Sequence, residues 1–138
     1  MRGLLLDTHT LLWYAEGGGK PLAPSALEAM EQARTARTLF ISSISIWEIG
    51  MLCAKGRLTL SSPVDEWLRR VMAMTTLREL PLDLVTALES TRLPGACHGD
   101  PADRFLIAGA RVHDLVLATA DGKIIAYGNA GHVRVLEI

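Results

Sequence analysis

The stretch Asp100–Gly128, DPADRFLIAGARVHDLVLATADGKIIAYG, decides the fold. Asp100 followed by Pro101 is what a helix start needs: a side-chain cap, then a residue with no backbone N–H to satisfy. From there Asp103, Leu106, Ile107 and Ala110 share one stripe at helical spacing, and Arg104 and Arg111 share the opposite, wetter one. LVLATA then reads as a short buried strand, ADGK as a turn and GKIIAYG as a short helix. Helix, buried strand and helix in succession point to a parallel sheet covered on both faces.

Outward from that stretch the alternation recurs. GLLLD reads as a buried strand, followed by a helix from about Thr8 to Ala15. SALEAMEQAR is a helix opened by a Ser25/Glu28 capping box. TLFIS is a second buried strand, and SISIWEIGMLCAK a helix ending near Gly56. SSPVDEWLRRVM has Ser62 as cap and Pro63 at the first helical position. LREL reads as a strand, LDLVTALES as a helix capped by Asp83, and VRVLEI as a last strand. EGGGKPLAP (Glu16–Pro24) is a loop inside the domain, and no repeat or linker divides the chain. The expectation is one domain over residues 1–138, an α/β fold: a three-layer α/β/α sandwich on a short central parallel sheet. At 138 residues and 49% hydrophobic content the chain is long enough to bury such a core.

A formal charge of −1 argues against a protein that holds nucleic acid by bulk positive charge. It is compatible with a nuclease whose acids are offset by bound metal. Cys53 and Cys97 lie in no CxxC and beside no Cys/His pair, as expected of two reduced thiols in a cytoplasmic protein. The opening MRGLLLDTHTLLWY mimics a signal peptide, but Asp7 interrupts its apolar core and no small-residue cleavage site follows. No apolar run approaches the ~20 residues of a membrane span.

The acids carry the chemistry. In an open parallel sheet the ligand crevice lies at the carboxyl ends of the strands. Asp7 ends the first strand, Glu48 lies in the second turn of the helix after TLFIS, and Asp121 follows LVLAT. The helix containing Asp103 runs back to that last strand, so its start reaches the same rim. Each acid also has a structural reading. Asp7 can cap a helix, Ser45-x-x-Glu48 resembles a capping box, Asp121 sits in a turn, and capping alone accounts for Asp100. Asp103 differs: a helix-dipole gain does not require it to head the core-facing stripe. His98 and His9 flank acids but lack zinc-like spacing, and read as turn or hydrogen-bonding histidines. Trp13, Trp47 and Trp67, with VMAMTT, read mostly as core, with some left as an apolar surface for a partner.

Together these residues resemble the PIN-domain family, and within it the toxin ribonucleases of VapBC toxin–antitoxin modules. LLLDTHTLLW is similar to the family's opening strand and first acid, and SSISIWEI to its second acidic motif. HGDPADRFLIAGA is similar to the His-x-Asp-Pro-x-Asp-Arg form of the small toxins, and LATADGKI to the last acidic motif. The resemblance covers nearly the whole chain in order. It implies an acidic cluster of Asp7, Glu48, Asp103 and Asp121, with Asp100 as a second-choice ligand and Thr8 and Thr119 close by. It also implies an RNA substrate, a homodimer and a cognate antitoxin lying across the groove; the lack of a long apolar run is the separate ground for expecting no membrane partner.

Four clustered carboxylates repel one another unless a cation compensates, and all-oxygen ligation suits Mg²⁺ or Mn²⁺. The reading is a metal-dependent endoribonuclease, with Asp7 and Asp103 as main ligands and Glu48 and Asp121 acting through water or as orienting acids. Arg104, Lys123, Lys55 and Arg57 are candidates to meet RNA phosphates, with solvated surface charge as the alternative. Two rival readings stand beside it. One is a Mg-dependent phosphatase or receiver-type phosphoryl-transfer domain, although Asp7 is followed by Thr8 and His9 rather than by a second acid. The other is a PIN-like fold that binds without catalysing.

Overall fold

The computed structural model describes residues 2–17, 21–74 and 76–138. Residues 18–20 of the Glu16–Pro24 loop, and Thr75 of the VMAMTT segment, lie outside the described residues. The strands are β1 (Leu4–Leu6), β2 (Leu39–Ser42), β3 (Leu77–Leu80), β4 (Val116–Thr119) and β5 (Val135–Glu137). The helices are α1 (Thr8–Glu16), α2 (Pro24–Thr35), α3 (Ser43–Ala54), α4 (Val64–Met74), α5 (Leu84–Ser90), α6 (Pro101–Val112) and α7 (Gly122–Asn129). All strand pairs are parallel, in the order β3-β2-β1-β4-β5.

Period-two alternation in short apolar strands splits the core into two. Leu4, Leu6, Leu39, Ile41 and Ala118 face one side and pack with Leu11, Met30, Ile49, Trp67 and Val71 from α1 to α4. Leu5 and Leu117 face the other, against Leu106, Ile107 and Ala110 of α6 and Ile124 and Tyr127 of α7. This is the expected three-layer sandwich, and both strand faces are buried because helices cover both.

The order places β1 in the middle, with β2 and β3 to one side and β4 and β5 to the other. Leu6 pairs with Ile41 of β2 and with Ala118 of β4, so the carboxyl ends of all three strands stop together. The chain reverses its direction of travel between β1 and β4, which makes that end the crevice of the sheet. At the opposite end Gly3 has no room for a side chain: a Cβ there would lie 2.8 Å from the Thr38 carbonyl.

Several caps differ from the sequence expectation. Pro24 opens α2 one residue earlier than the Ser25/Glu28 box, because its fixed φ and missing N–H suit the first position. The N-cap is therefore Ala23, and no side chain caps the helix. Helix α4 begins at Val64, not Pro63, whose carbonyl accepts the Trp67 N–H; the Ser62 hydroxyl accepts from Arg70 instead. Helix α3 is capped by Ser42, whose hydroxyl accepts the Ile44 N–H, so Ser45 is not part of a capping box. Asp7, Asp83, Asp100 and Asp121 cap their helices. Among the described residues no helix is long and apolar enough to cross a membrane.

Candidate active site

Asp7 leaves β1 and caps α1 at once. Its Oδ1 accepts the Thr10 N–H at 2.8 Å, and its Oδ2 accepts the Thr119 hydroxyl proton. Its own N–H donates to the Ala118 carbonyl at 3.1 Å, continuing the ladder with β4 past the strand end. Asp7 is buried, and these bonds satisfy it while leaving each oxygen a second lone pair. Capping and cleft lining are thus one role, not alternatives.

Glu48 reaches the same place from β2. Ser42 ends that strand and caps α3, and Ser45 one turn on is fully buried. There its hydroxyl accepts a bond from Thr8 at 3.0 Å, tying the start of α1 to α3. Glu48, three residues later, is half-buried and lines the cleft, and its carboxylate makes no hydrogen bond among the described residues.

Asp103 and Asp100 arrive on α6. Asp100 Oδ1 accepts the Asp103 N–H at 3.0 Å, the bond of an N-cap. Asp103 Oδ2 lies 2.8 Å from His98 Nε2. Desolvation raises the Asp103 carboxyl above the ordinary range; the His98 bond works against this, and the charges of Asp100 and Asp121 add to it. Asp121 follows β4, and its Oδ1 accepts the N–H groups of Lys123 and Ile124 at 2.8 and 3.1 Å. Its own N–H donates to Thr119 Oγ1 at 3.0 Å.

These acids line one cleft of about 300 Å³: Asp7, Glu48, Asp100, Asp103 and Asp121, together with Thr8, His9, Trp13 and Ala120. Oxygen donors held close together in one cleft fit a hard divalent cation; burial raises the Asp103 carboxyl first, and the charges of Asp100 and Asp121 add to it. The fit has a limit. Among the described residues no three His, Cys, Asp or Glu side chains already stand grouped as a metal site. A cation here would take few direct protein ligands and reach the others through water, a habit of Mg²⁺.

The cationic candidates separate. Arg104 is not a wet-face residue: it donates from Nε to the Ser90 carbonyl at 2.9 Å and from Nη1 to the Cys97 and His98 carbonyls at 3.3 Å. Its guanidinium is committed to the loop before α6. Lys123 is exposed two residues after Asp121, in the first turn of α7. Lys55 and Arg57 are exposed beyond the far end of α3, where Gly56 in the left-handed conformation (φ 69°) ends the helix; Lys55 is about 10 Å along the axis from Glu48.

Other readings change as well. Trp67 is core, but Trp47 is 57% exposed on α3 beside Met51, and Trp13 lines the cleft. A second exposed apolar face carries Leu84, Val85 and Leu88 on α5. His9 and Trp13 were not expected in the site; their spacing of four residues on α1 is the signal that puts both on one helical face.

A sequence model described as PIN domain matches residues 4–129. Ribonuclease VapC22 of Mycobacterium tuberculosis is 30% identical over 135 residues, spanning 98% of this chain and 99% of that protein. Among solved structures, a toxin–antitoxin complex from Klebsiella pneumoniae matches with a TM-score of 0.60 at 27% identity, covering 99% of this chain and 100% of the other. VapBC2 from Rickettsia felis, bound to a DNA fragment from its promoter, matches with a TM-score of 0.67 at 15% identity and 97% coverage of each chain, a likeness of fold.

Proposed function

This chain belongs to the PIN-domain family, and from that premise we propose that it is a VapC-like endoribonuclease toxin, dependent on Mg²⁺ or Mn²⁺ and neutralised by a cognate antitoxin. The observation that carries the proposal is the meeting of acids from four separate segments in one cleft at the carboxyl edge of the sheet. The ribonuclease relative and the toxin–antitoxin complex support the substrate class and the antitoxin. The family match leaves the phosphoryl-transfer alternative without support.

A bound divalent cation supplies charge stabilisation at the scissile phosphate and a water of lowered pKa. Asp7 and Asp103 would hold it. Asp7 is the best-fixed donor, with hydrogen bonds to both oxygens. The Glu48 carboxylate, which has no hydrogen-bond partner among the described residues, is available to orient the attacking water and take its proton. Asp121 keeps Oδ2 clear of the cap bonds on Oδ1 and would act through water. Lys123 at the rim is the cation best placed to meet a flanking phosphate, with Lys55 and Arg57 more remote. A second copy of the chain and the antitoxin are the proposed protein partners. The exposed apolar side chains of α3 and α5 are of the kind such partners cover.

The test is cleavage of total cellular RNA by purified, antitoxin-free protein with Mg²⁺ or Mn²⁺, with chelator, and with Asp7→Asn. Discrete fragments that require both the metal and Asp7 are expected. Cleavage that persists with chelator or with Asp7→Asn overturns the mechanism. Metal binding without cleavage favours the non-catalytic binding module.

A further inference from the structure

We propose that His98 is a positioning residue for Asp103, its Nε2 hydrogen bond fixing which carboxylate oxygen Asp103 offers to a cation in the cleft. The inference rests on the metal-nuclease reading and names a residue of that machinery outside the acids. The two groups are 2.8 Å apart, with side chains only 17% and 23% exposed. The bond engages Oδ2 and leaves Oδ1 without a hydrogen-bond partner among the described residues, in a side chain that lines the cleft.

His98 can fix another side chain because its own backbone is fixed. It lies in the irregular segment between α5 and α6, where a histidine would ordinarily be mobile. Arg104 removes that freedom by bonding the carbonyls of Ser90, Cys97 and His98. Cys97 packs against the core, and the Tyr127 hydroxyl donates to the Pro94 carbonyl. Gly95 has φ 67° and lies so close to His132 that a Cβ would stand 2.5 Å from its Nε2. Successive residues of α6 therefore act as a unit: Arg104 clamps the loop, and the loop returns His98 to Asp103. A first-turn aspartate without such a partner samples several rotamers, and ordering it has an entropic cost at the moment of metal binding. Outer-shell partners that orient metal ligands are typically worth 10–100-fold in affinity.

The test is Mn²⁺ affinity of the full chain by electron paramagnetic resonance, with melting of the metal-free protein as the folding control. His98→Ala removes the bond, His98→Phe removes it while keeping ring volume, and His98→Gln retains an N–H donor at similar reach. Roughly tenfold weaker Mn²⁺ binding in His98→Ala and His98→Phe is expected, with affinity regained in His98→Gln. Unchanged affinity in both loss variants, while Asp103→Asn abolishes binding, overturns the positioning role and leaves the metal reading intact. Unchanged affinity in Asp103→Asn overturns the reading beneath it. Tighter binding on loss of the imidazole also overturns the proposal, because the pair would then compete with the cation. Weakening that follows melting alone and is not rescued by His98→Gln reduces His98 to a packing role.

Discussion

The Thr119 hydroxyl donates to Asp7 Oδ2 and accepts the Asp121 N–H at 3.0 Å, so one fully buried side chain joins the two acids that follow β1 and β4. Neither strand determines this alone. The parallel register of Leu6 with Ala118 brings the strand ends side by side, and Thr119 then faces the first residue past β1. The Thr10 hydroxyl adds a bond from α1 to the Ala118 carbonyl at 3.1 Å, and Thr8 ties α1 to α3. Hydroxyl groups therefore set the spacing of the carboxylates across three strand ends.

Replacing Thr119 by Val keeps the shape and removes both bonds. The Asp7 carboxylate loses a donor in a buried site, and the Asp121 N–H loses its acceptor. The expected loss is about 1–3 kcal/mol in urea unfolding, together with reduced RNA cleavage. Thr119→Ser should retain most of both. A Val variant as stable and as active as the wild type would remove Thr119 from the site.

The alternation of elements was legible because β1, β2 and β4 are short and mostly apolar and most helices carry their own stripe or cap. The convergence of acids was legible because Asp7, Glu48 and Asp121 come after strands whose carboxyl ends share one edge, and the helix headed by Asp103 runs back into β4 from that edge. The features that stayed hidden depend on tertiary neighbours. Trp47 follows the apolar pattern of α3 yet is left outside, since Ile49 and Ile44 take the buried positions. The carbonyls that occupy Arg104 belong to the last residue of α5 and to the irregular loop after it, which has no periodicity to read. His98 and Asp103 are five residues apart, a spacing that carries no pairing signal until the loop is folded. Ser25 failed as a cap because Pro24, one residue earlier, fits the helix start better.

Arg104→Lys separates scaffold from RNA contact. A lysine keeps the charge but lacks the planar fork that reaches three carbonyls. A stability loss of about 1–3 kcal/mol is expected, with no change in the salt dependence of RNA binding. Melting unchanged from the wild type would instead show the three carbonyl bonds to be dispensable and return Arg104 to the phosphate contacts.

Asp100 can be tested for its two roles in one position. Asp100→Ser keeps a capping oxygen and removes the carboxylate, whereas Asp100→Ala removes both. Loss of the cap alone costs about 1 kcal/mol. Thermal unfolding should therefore distinguish Ala from Ser, while both variants keep cleavage within severalfold of wild type. Collapse of cleavage in Asp100→Ser at unchanged stability would make Asp100 a direct ligand.

The raised carboxyl of Asp103 gives the metal response a pH dependence with a definite sign. Burial, with Asp100 and Asp121 nearby, disfavours the charged form in the folded protein. The contribution of Asp103 to metal-free stability is therefore fully present below its ordinary value of 3.8 and is lost as pH rises through the higher folded value. A cation reverses the penalty by pairing with the ionised form, and protonation at lower pH competes with it. Metal at about a hundredfold over its dissociation constant is worth about 2.7 kcal/mol, several degrees of melting temperature. Melting with and without Mn²⁺ at pH 7 and pH 5 should show the larger gain at pH 7 for the wild type, and a small gain at both pH values for Asp103→Asn. A gain in Asp103→Asn as large as in the wild type at both pH values would place the bound ion away from Asp103.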